Sequence, residues 1–291
     1  MPKPIRETAS LLVPRSLAEP LMRLYDYPHP RKPGRVIPGY DRLHALRTAR
    51  MCAAVARHLG HPQERVERYQ IACLLHDLGR AGLDPEQFGK IWSWARANGI
   101  PTRPREWRAV HPSTPYGGET EAFLERYAQD LARLGVPLDS WTAEQVEMRL
   151  GYARRLARQV RAARPKLARL GVQWAPWMER VMLYYYYPEK LSRSALWVRE
   201  LAEVLVACEQ LEAYSNRQRG HDYYTRKKES LPEAFAYLGK LQVEGILRPR
   251  VVQAVREVAA EGAFDQLLAE ARGAALPRRE LLYLRSLKRD G

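Results

Sequence analysis

The stretches LHALRTARMCAAVARHLG at residues 43–60 and YQIACLLHDLG at residues 69–79 decide the fold of this chain. Each is rich in apolar residues that recur at intervals of three or four, which is typical of an amphipathic helix. Each also ends at a glycine, Gly60 or Gly79, a residue that favours helix termination. The two stretches therefore predict a pair of antiparallel helices joined by a short turn.

The rest of the chain also predicts helices. The alternation typical of strands is absent, and no internal repeat is found. Eight prolines within the first 38 residues exclude a long uninterrupted helix there and predict a short helix followed by an extended arm. We predict an all-α fold, with Pro165 ending or bending the fourth helix. The predicted helices span about residues 41–60, 62–78, 119–134, 142–170, 176–186, 194–215, 231–242 and 249–260.

Composition limits the class of protein. The 291 residues include 48 Lys and Arg against 33 Asp and Glu, a net charge of +15, and 46% of them are apolar. Such a chain can bury a core of ordinary size in one large domain or two modest ones, so intrinsic disorder is disfavoured. No run reaches the ~18 apolar residues of a membrane helix, and residues 1–16 lack the apolar region of a secretory signal. We therefore expect a cytoplasmic protein without a transmembrane segment.

Several other chemistries lack the residues they need. Cys52, Cys73 and Cys208 are widely spaced within apolar segments, which favours buried free thiols over a disulfide or a metal site. The chain has no phosphate-binding loop of the G-x-x-x-x-G-K-[ST] kind, no Cys-x-x-Cys pair, no G-x-S-x-G elbow and no strand to open a dinucleotide fold.

The pair His76-Asp77 stands at the end of the apolar segment IACLL. An ionised carboxylate in such a place is costly unless it is paired or bound to a cation. Gly79 places the pair near a helix end, where adjacent side chains can share one ion. His44, near the start of the preceding antiparallel helix, should lie at the same end. A single histidine there is more often a satisfied core residue, but the three residues together indicate a metal site.

These residues carry a resemblance to a known family. The pattern HALRTARMCAAVARHLG…YQIACLLHDLGRAGLD resembles the opening of the HD superfamily of metal-dependent phosphohydrolases, and most of all its HD-GYP branch of cyclic dinucleotide phosphodiesterases. The resemblance implies an HD-domain-like helical bundle in which His44, His76 and Asp77 bind a divalent metal, either Mn²⁺, Fe²⁺, Mg²⁺ or Zn²⁺. LVACEQLEAYS is similar to the family stretch that adds an acid to this set, which would be Glu209. REWRAVHPSTP is similar to the segment whose histidine, here His111, helps to hold a second metal.

For Glu209 and His111 an alternative interpretation stays open. Val198, Ala202 and Leu205 precede Glu209 at intervals of three or four, so Glu209 continues an apolar stripe. It could face the ion or be a solvated residue at the end of that stripe. For His111 the alternative is a histidine in a surface loop.

The resemblance also implies a domain organisation. The HD-like helical domain would carry an inserted helical segment that is basic and that the family pattern does not need. The predicted parts are a Pro-rich arm at 1–37, the HD-like domain at 38–260 with the insertion at about 119–175, and a basic helical segment at 261–291.

The chain departs from the HD-GYP pattern at two places, and we therefore expect fewer of that branch's site residues. Where that branch has a His-His-Glu run and the Gly-Tyr-Pro loop, this chain has LYYYYPEKL at residues 183–191. A tyrosine hydroxyl is a poor ligand for Mn²⁺ or Fe²⁺ at neutral pH, so we predict a degenerate HD-GYP domain that lacks the GYP loop. The lysine that follows the His-Asp doublet in that branch is Arg80 here, which keeps a positive charge for a phosphate but is a poor proton donor.

The insertion contains a strongly basic stretch. Residues 149–170 carry eight Lys and Arg and no acid, and Arg154, Arg158 and Arg161 recur on one side of the predicted helix. Such a run is usually a solvated face. The alternative is an anion-binding rim for a phosphorylated substrate or nucleic acid, a role that the segment 278–289 could share.

Two functions from different classes remain open. The first is a metal-dependent phosphohydrolase of a phosphomonoester or phosphodiester, such as a nucleotide or a cyclic dinucleotide. Asp77 and Arg80 would be its catalytic residues, and Arg80 with the basic rim would bind the phosphorylated substrate. The second is a degenerate HD fold that binds an anionic ligand, nucleic acid or a partner protein without turnover. A helical di-iron oxygenase needs more histidines near the site than the chain supplies, and the sequence leaves the oligomeric state open.

Overall fold

The computed structural model describes residues 9–30, 32–185, 187, 191–216 and 230–288. The described residues form fifteen α-helices and two strands of two residues each, which confirms the predicted all-α fold. The helices are α1 (Arg15–Met22), α2 (Arg42–His58), α3 (Gln63–Leu74), α4 (Pro85–Ala97), α5 (Pro104–Val110), α6 (Glu119–Arg126), α7 (Ala128–Arg133), α8 (Ser140–Leu150), α9 (Tyr152–Arg169), α10 (Pro176–Leu183), α11 (Leu196–Ser215), α12 (Leu231–Val243), α13 (Pro249–Ala260), α14 (Asp265–Arg272) and α15 (Arg278–Ser286).

Helix α11 is the central element of the bundle. It contacts α2, α10, α12, α13 and α14, so side chains on most of its surface are buried. Even Glu203 and Glu212 are buried, at 1% and 0% exposure. Each of them has an arginine partner, Arg248 for Glu203 and Arg47 for Glu212. This pairing offsets the cost of placing a carboxylate in the interior.

The two helices predicted from the opening stretches, α2 and α3, pack against each other, and α2 also packs against α11. Alanines such as Ala45 and Ala49 are fully buried on α2, and small side chains allow helices to approach closely. The cysteines of the three helices, Cys52, Cys73 and Cys208, are buried and free, as predicted.

The described apolar core has two parts. One cluster combines α1 to α3 with α9 to α15. The other lies among α4 to α8 and contains the aromatic side chains Trp92, Trp107 and Phe123, with Trp92 and Phe123 5.2 Å apart between ring centroids. The second cluster therefore includes α6 to α8 of the predicted insertion, whereas α9 belongs to the first cluster with α2 and α3.

Two predicted helices end earlier than the periodicity indicated. Helix α3 ends at Leu74 because two of its last carbonyls accept other hydrogen bonds. The hydroxyl of Tyr25 donates to the carbonyl of Leu74, and Nδ1 of His76 donates to the carbonyl of Cys73. These carbonyls would otherwise accept from the next helical turn. The predicted helix at 142–170 is two helices, because Gly151 has φ −119° and ends α8.

Two outcomes were predicted for Pro165, and the first of them, that it ends the helix, is wrong. Helix α9 continues through Pro165 to Arg169. The helix predicted at 119–134 is likewise divided, into α6 and α7, at Tyr127.

The N-terminal residues that the structure describes lie against the bundle. Leu21 of α1 and Tyr25 are buried, and strand β1 (Tyr27–Pro28) pairs antiparallel with strand β2 (Val36–Ile37). The predicted boundaries of the arm, the insertion and the C-terminal segment stay a prediction. Among the described residues, no helix has the length and apolar character needed to cross a membrane.

Candidate metal centre

Helix α2 and the turn after α3 position His44, His76 and Asp77. His44 lies on the first turn of α2, and the doublet lies in the turn that follows α3. This turn is held from two sides, since the backbone N–H of Asp77 donates to the hydroxyl of Tyr25 at 3.2 Å and Tyr152 donates to the carbonyl of His76. The doublet is therefore fixed outside regular helix, at the end of the hairpin where the sequence predicted it.

Gly79 lies in a 3-10 turn beyond the end of α3, so it does not end that helix as predicted, and it has a packing role instead. A Cβ atom at this position would lie 2.7 Å from the ring of Tyr152, which is closer than side chains pack. The 3-10 turn Leu78–Arg80 can therefore approach Tyr152 closely, and it carries Arg80 toward the doublet.

The ligand atoms of the three residues converge. Nε2 of His44 and Nε2 of His76 each lie 3.7 Å from Oδ2 of Asp77. The two imidazole rings are 5.2 Å apart between centroids, and all three residues are at most 3% exposed. Two donors that each stand about 2.1 Å from one ion are roughly 3.0–3.5 Å apart, so a small contraction would complete the geometry. The group fits a metal site.

The hydrogen bonds of the imidazoles determine which atoms face the centre. Nδ1 of His76 lies 2.7 Å from the carbonyl of Cys73, which can only accept, so Nδ1 carries the proton. Nδ1 of His44 contacts the buried carboxylate of Glu212 in the same way. With the proton on Nδ1, Nε2 of each ring is the nitrogen that can present a lone pair to the carboxylate of Asp77. Neither Nε2 atom has a hydrogen-bond partner within the described part of the chain.

This arrangement fits a cation better than an internal hydrogen-bond network. Arg80 donates to Oδ2 of Asp77 at 3.3 Å, but the two Nε2 atoms that face this carboxylate have no donor, and buried unpaired acceptors are costly. A divalent cation among them removes this cost. A carboxylate on the outer nitrogen of a ligand histidine is also the arrangement that orients such ligands in metal sites.

Glu212 provides that carboxylate, and the sequence analysis did not assign it this role. It is fully buried, and it pairs with Arg47 and accepts from Asn216 at 3.2 Å as well as contacting His44. The structure does not bring Glu209, the acid predicted as a ligand, into the group of converging described residues. Glu209 is half-buried and its charge contributes to raising the pKa of Tyr185, which burial raises most.

The physical reason is the helical phase of α11. Cys208 and Glu212 are fully buried toward the neighbouring helices, whereas Glu209 lies at a half-buried position between them. A stripe drawn through Leu205 at an interval of four reaches Glu209, but the buried side of α11 continues through Cys208. Because nearly the whole helix is buried, apolar periodicity could not distinguish the two acids.

A pair of substitutions on α11 tests these positions. Glu212→Gln is expected to weaken binding of Mn²⁺ by about 10- to 100-fold, because an amide holds the proton of His44 Nδ1 less firmly than a carboxylate. Glu209→Gln is the matched control and should bind within about 3-fold of the unchanged protein. Calorimetric titration with Mn²⁺ measures both. A loss confined to Glu209→Gln would instead establish Glu209 as a ligand.

Arg80 lies at the centre, as the sequence predicted. Its Nη1 atom is 3.3 Å from Oδ2 of Asp77 and 3.9 Å from Oδ2 of Asp41, and the side chain is buried. The guanidinium therefore adds a positive charge on the same carboxylate oxygen that the two histidines face.

The structure does not bring His111 to this group. It follows α5, and its ring packs on Trp107 with 4.2 Å between centroids. Burial and the nearby charge of Arg126 lower the pKa of His111. Its position in the aromatic cluster of α4 to α8 provides a structural role that the motif alone did not reveal.

The arginines of the predicted rim are held apart from the centre. Arg154 pairs with Glu119 and Glu147, at 2.8 and 3.1 Å, and Arg158 pairs with Glu144 at 3.2 Å, while Arg161 is exposed. The basic stretch itself contains no acid, and the acidic partners of Arg154 and Arg158 lie on α6 and α8.

Glu119 shows how strongly these pairs are formed. Burial alone would raise the pKa of Glu119, but hydrogen bonds from the backbone, Arg108 and Arg154 together lower it. The carboxylate and its arginines therefore form an internal network that does not need a ligand.

Arg155 is the residue of the basic stretch that supports the centre. It is fully buried, its Nε donates to the carbonyl of Gly79 at 2.8 Å, and its Nη2 donates to the carbonyl of Ala81 at 2.6 Å. It also pairs with Glu144. Arg155 therefore fixes the turn that carries Arg80. Among eight basic residues of similar spacing, no local sequence signal distinguishes Arg155 from the others.

The tyrosines that replace the His-His-Glu run do not join the group. The hydroxyl of Tyr184 donates to the carbonyl of Ile246 at 2.6 Å, and the hydroxyls of Tyr185 and Tyr237 lie 3.2 Å apart. Burial raises the pKa of Tyr187 to about 12, so it is protonated at neutral pH. Tyr186 lies outside the described residues.

Comparison with known proteins agrees with this geometry. Residues 43–95 match the family model named HD domain, a segment that contains α2, α3, the His-Asp turn and most of α4. The match supports membership of this segment in the HD superfamily, whose members bind divalent metals. No curated protein and no solved structure matches the chain.

Proposed function

We propose that this protein is a metal-dependent phosphohydrolase that cleaves a phosphomonoester or phosphodiester, with nucleotides and cyclic dinucleotides as the favoured substrate class. The observation that carries the proposal is the pair of imidazole lone pairs that face Asp77 at 3.7 Å while both Nδ1 atoms are committed elsewhere. His44, His76 and Asp77 would hold the metal. The HD match over residues 43–95 supports the reaction class at the level of the superfamily.

The chain's own residues perform distinct tasks in this proposal. A bound divalent cation, Mn²⁺, Fe²⁺, Mg²⁺ or Zn²⁺, supplies a Lewis acid for a phosphoryl oxygen and lowers the pKa of bound water. Arg80 neutralises charge on the phosphate, and because a guanidinium keeps its proton at neutral pH, it acts by charge and hydrogen bonding. Glu212 and the carbonyl of Cys73 orient the two imidazoles. Arg155 holds the turn that places Arg80.

A second candidate is a binding module derived from the same fold. Two observations favour it: only three ligands converge among the described residues, and the tyrosine hydroxyls at 184 and 185 are engaged in internal hydrogen bonds. The finer assignment to a degenerate HD-GYP domain belongs with this candidate, since it rests on the replaced His-His-Glu run. In this case an anionic ligand would bind without turnover.

Hydrolysis assays separate the two candidates. The full-length protein is assayed with p-nitrophenyl phosphate, bis-p-nitrophenyl phosphate, nucleotides and cyclic dinucleotides, each with Mn²⁺, Fe²⁺, Mg²⁺ or Zn²⁺. We expect turnover that requires a metal and that Asp77→Asn reduces at least about 100-fold. Asp265→Asn, in an exposed ion pair with Arg285, is the matched control and should keep full activity.

Two results contradict the phosphohydrolase. One is hydrolysis that Asp77→Asn retains, because the converging group would then have no part in it. The other is the absence of turnover with all four metals while a cyclic dinucleotide binds, which would establish the binding module.

A further inference from the structure

Arginines and tryptophans flank helix α10 on two adjacent faces, and Trp177 and Arg180 lie on the helix itself. On one face it packs against α3 and α11, and on the other it borders the C-terminal half of α9. We call this region the α10 surface. It consists of Arg65, Arg68, Arg164, Trp174, Trp177, Arg180 and Trp197.

The first face is built from stacked planar groups. The guanidinium of Arg65 lies 4.5 Å from the ring centroid of Trp197, and that of Arg68 lies 6.0 Å from that of Trp177. The two indole rings meet edge to face at 5.2 Å. Both rings are partly buried against the core, so they are held in place. They line a cleft of about 320 Å³.

The second face is a larger cavity of about 550 Å³. Leu167, Val172 and Leu183 provide its apolar floor, and Arg164 and Arg180 lie beside them. Such a volume is in the range of sites that hold a small organic group.

The hydrogen-bond donors of this surface lack acceptors. Nε of Arg68 and Nε1 of Trp174 are buried without a hydrogen-bond partner, and buried donors without a partner are costly. Over the described ranges, none of Arg65, Arg68, Arg164 and Arg180 forms an ion pair, in contrast to Arg154 and Arg158 of the predicted rim. The α10 surface therefore carries four arginines without an ion pair, beside the acidic side chains of Glu64 and Glu179 that line the same two faces.

We infer that the α10 surface binds single-stranded nucleic acid, with phosphates on the four arginines and bases against the tryptophans. Indole rings beside guanidinium groups are the combination that single-strand-binding proteins use, because every base has a face to stack and every nucleotide a phosphate. A duplex hides its bases and cannot use the rings. A protein partner would favour a broad apolar patch, but the one strongly exposed large apolar residue next to these rings in the described chain is Leu196.

The α10 surface is separate from the metal centre. Arg65 and Arg68 lie in the first two turns of α3, whereas His76 follows its last residue. At 1.5 Å per residue, the helix from Arg68 to Leu74 alone spans about 9 Å, and His76 lies beyond its end. Binding at this surface therefore goes beyond the proposed hydrolysis and does not depend on it.

Fluorescence anisotropy with labelled 12-nucleotide oligo-U and oligo-dT tests the inference, using the full-length protein with EDTA so that no hydrolysis occurs. We expect binding of both strands, and weaker binding of a 12-base-pair duplex. Each phosphate contact contributes about −0.7 to the slope of log K against log salt, so four contacts predict a slope of roughly −3. The double variant Arg65→Gln/Arg68→Gln should reduce the magnitude of this slope by roughly 1.4.

Two pairs of variants separate stacking from general charge. Trp197→Ala should weaken binding roughly 5- to 150-fold, whereas Trp197→Phe, which keeps a ring, should retain most of it. The variant Arg278→Gln/Arg279→Gln removes equal charge from α15, where both side chains are exposed, and should keep more affinity than Arg65→Gln/Arg68→Gln.

Four results would overturn the inference. The first is that neither strand binds at 50 mM salt, and the second is that the protein prefers the duplex. The third is that the double variants on α3 and α15 lose equal affinity for the strands. The fourth is that Trp197→Ala binds the strands with unchanged affinity. A protein ligand that binds this surface in place of oligonucleotides would likewise reject it. His76→Ala should bind the oligonucleotides normally, so failure of the hydrolase proposal is distinguishable from failure of this one.

Discussion

Replacing His76 with alanine is expected to reduce affinity for Mn²⁺ by about 1,000-fold and to abolish metal-dependent hydrolysis. The reason is that His76 provides one of three converging ligand atoms, and loss of a third of a typical metal-binding free energy corresponds to about 4 kcal/mol. Calorimetric titration of chelator-treated protein measures the affinity.

The control for this variant is His58→Ala. His58 also lies on the hairpin of α2 and α3, but it pairs with Glu257 at 2.7 Å near the surface, at the far end of α2. It should bind Mn²⁺ like the unchanged protein. Circular dichroism verifies that both variants are folded, and His44→Ala provides a second test of the same centre. If His76→Ala and His44→Ala both kept Kd within about 3-fold of the original, the three residues would not be ligands.

Replacing Arg155 with methionine is expected to lower the free energy of unfolding by about 3–5 kcal/mol. The guanidinium is fully buried between the carbonyls of Gly79 and Ala81 and the carboxylate of Glu144. Burial lowers the pKa of Arg155 to about 10, so it remains charged at neutral pH. Its loss leaves the buried carbonyls of Gly79 and Ala81 without these donors, whereas Glu144 keeps its pair with Arg158. Urea denaturation followed by circular dichroism measures the change.

Arg158→Met is the matched control, because Arg158 pairs with the same Glu144 but is exposed. An exposed ion pair contributes about 0–1 kcal/mol, so this variant should be nearly as stable as the unchanged protein. Equal effects at the two positions would show that the buried contacts of Arg155 contribute little. We also expect Arg155→Met to weaken Mn²⁺ binding, since the turn after Asp77 loses its support.

The sequence was sufficient for the helical hairpin and for the convergence of His44, His76 and Asp77. His44, His76 and Asp77 are specified by local signals: helical periodicity, a glycine after the doublet and a charge within an apolar segment. These signals act over a few residues and do not depend on how distant helices pack.

Glu212 and Arg155 could not be assigned in the same way. Glu212 and Glu209 differ by less than one helical turn, and only the packing of α11 among its neighbours decides which of them is buried. Arg154, Arg155 and Arg158 all lie on α9, and they differ in which side of the helix they occupy. Only the packing of α9 after Gly151 decides that the side with Arg155 is buried. The roles of all these residues depend on tertiary contacts between segments far apart in the chain.

The most direct test of the central claim is an anomalous difference map from a crystal of the protein soaked with Mn²⁺. The account predicts a peak about 2.2 Å from Nε2 of His44, Nε2 of His76 and a carboxylate oxygen of Asp77. Full occupancy of Mn²⁺ elsewhere, with no peak among these three residues, would contradict it.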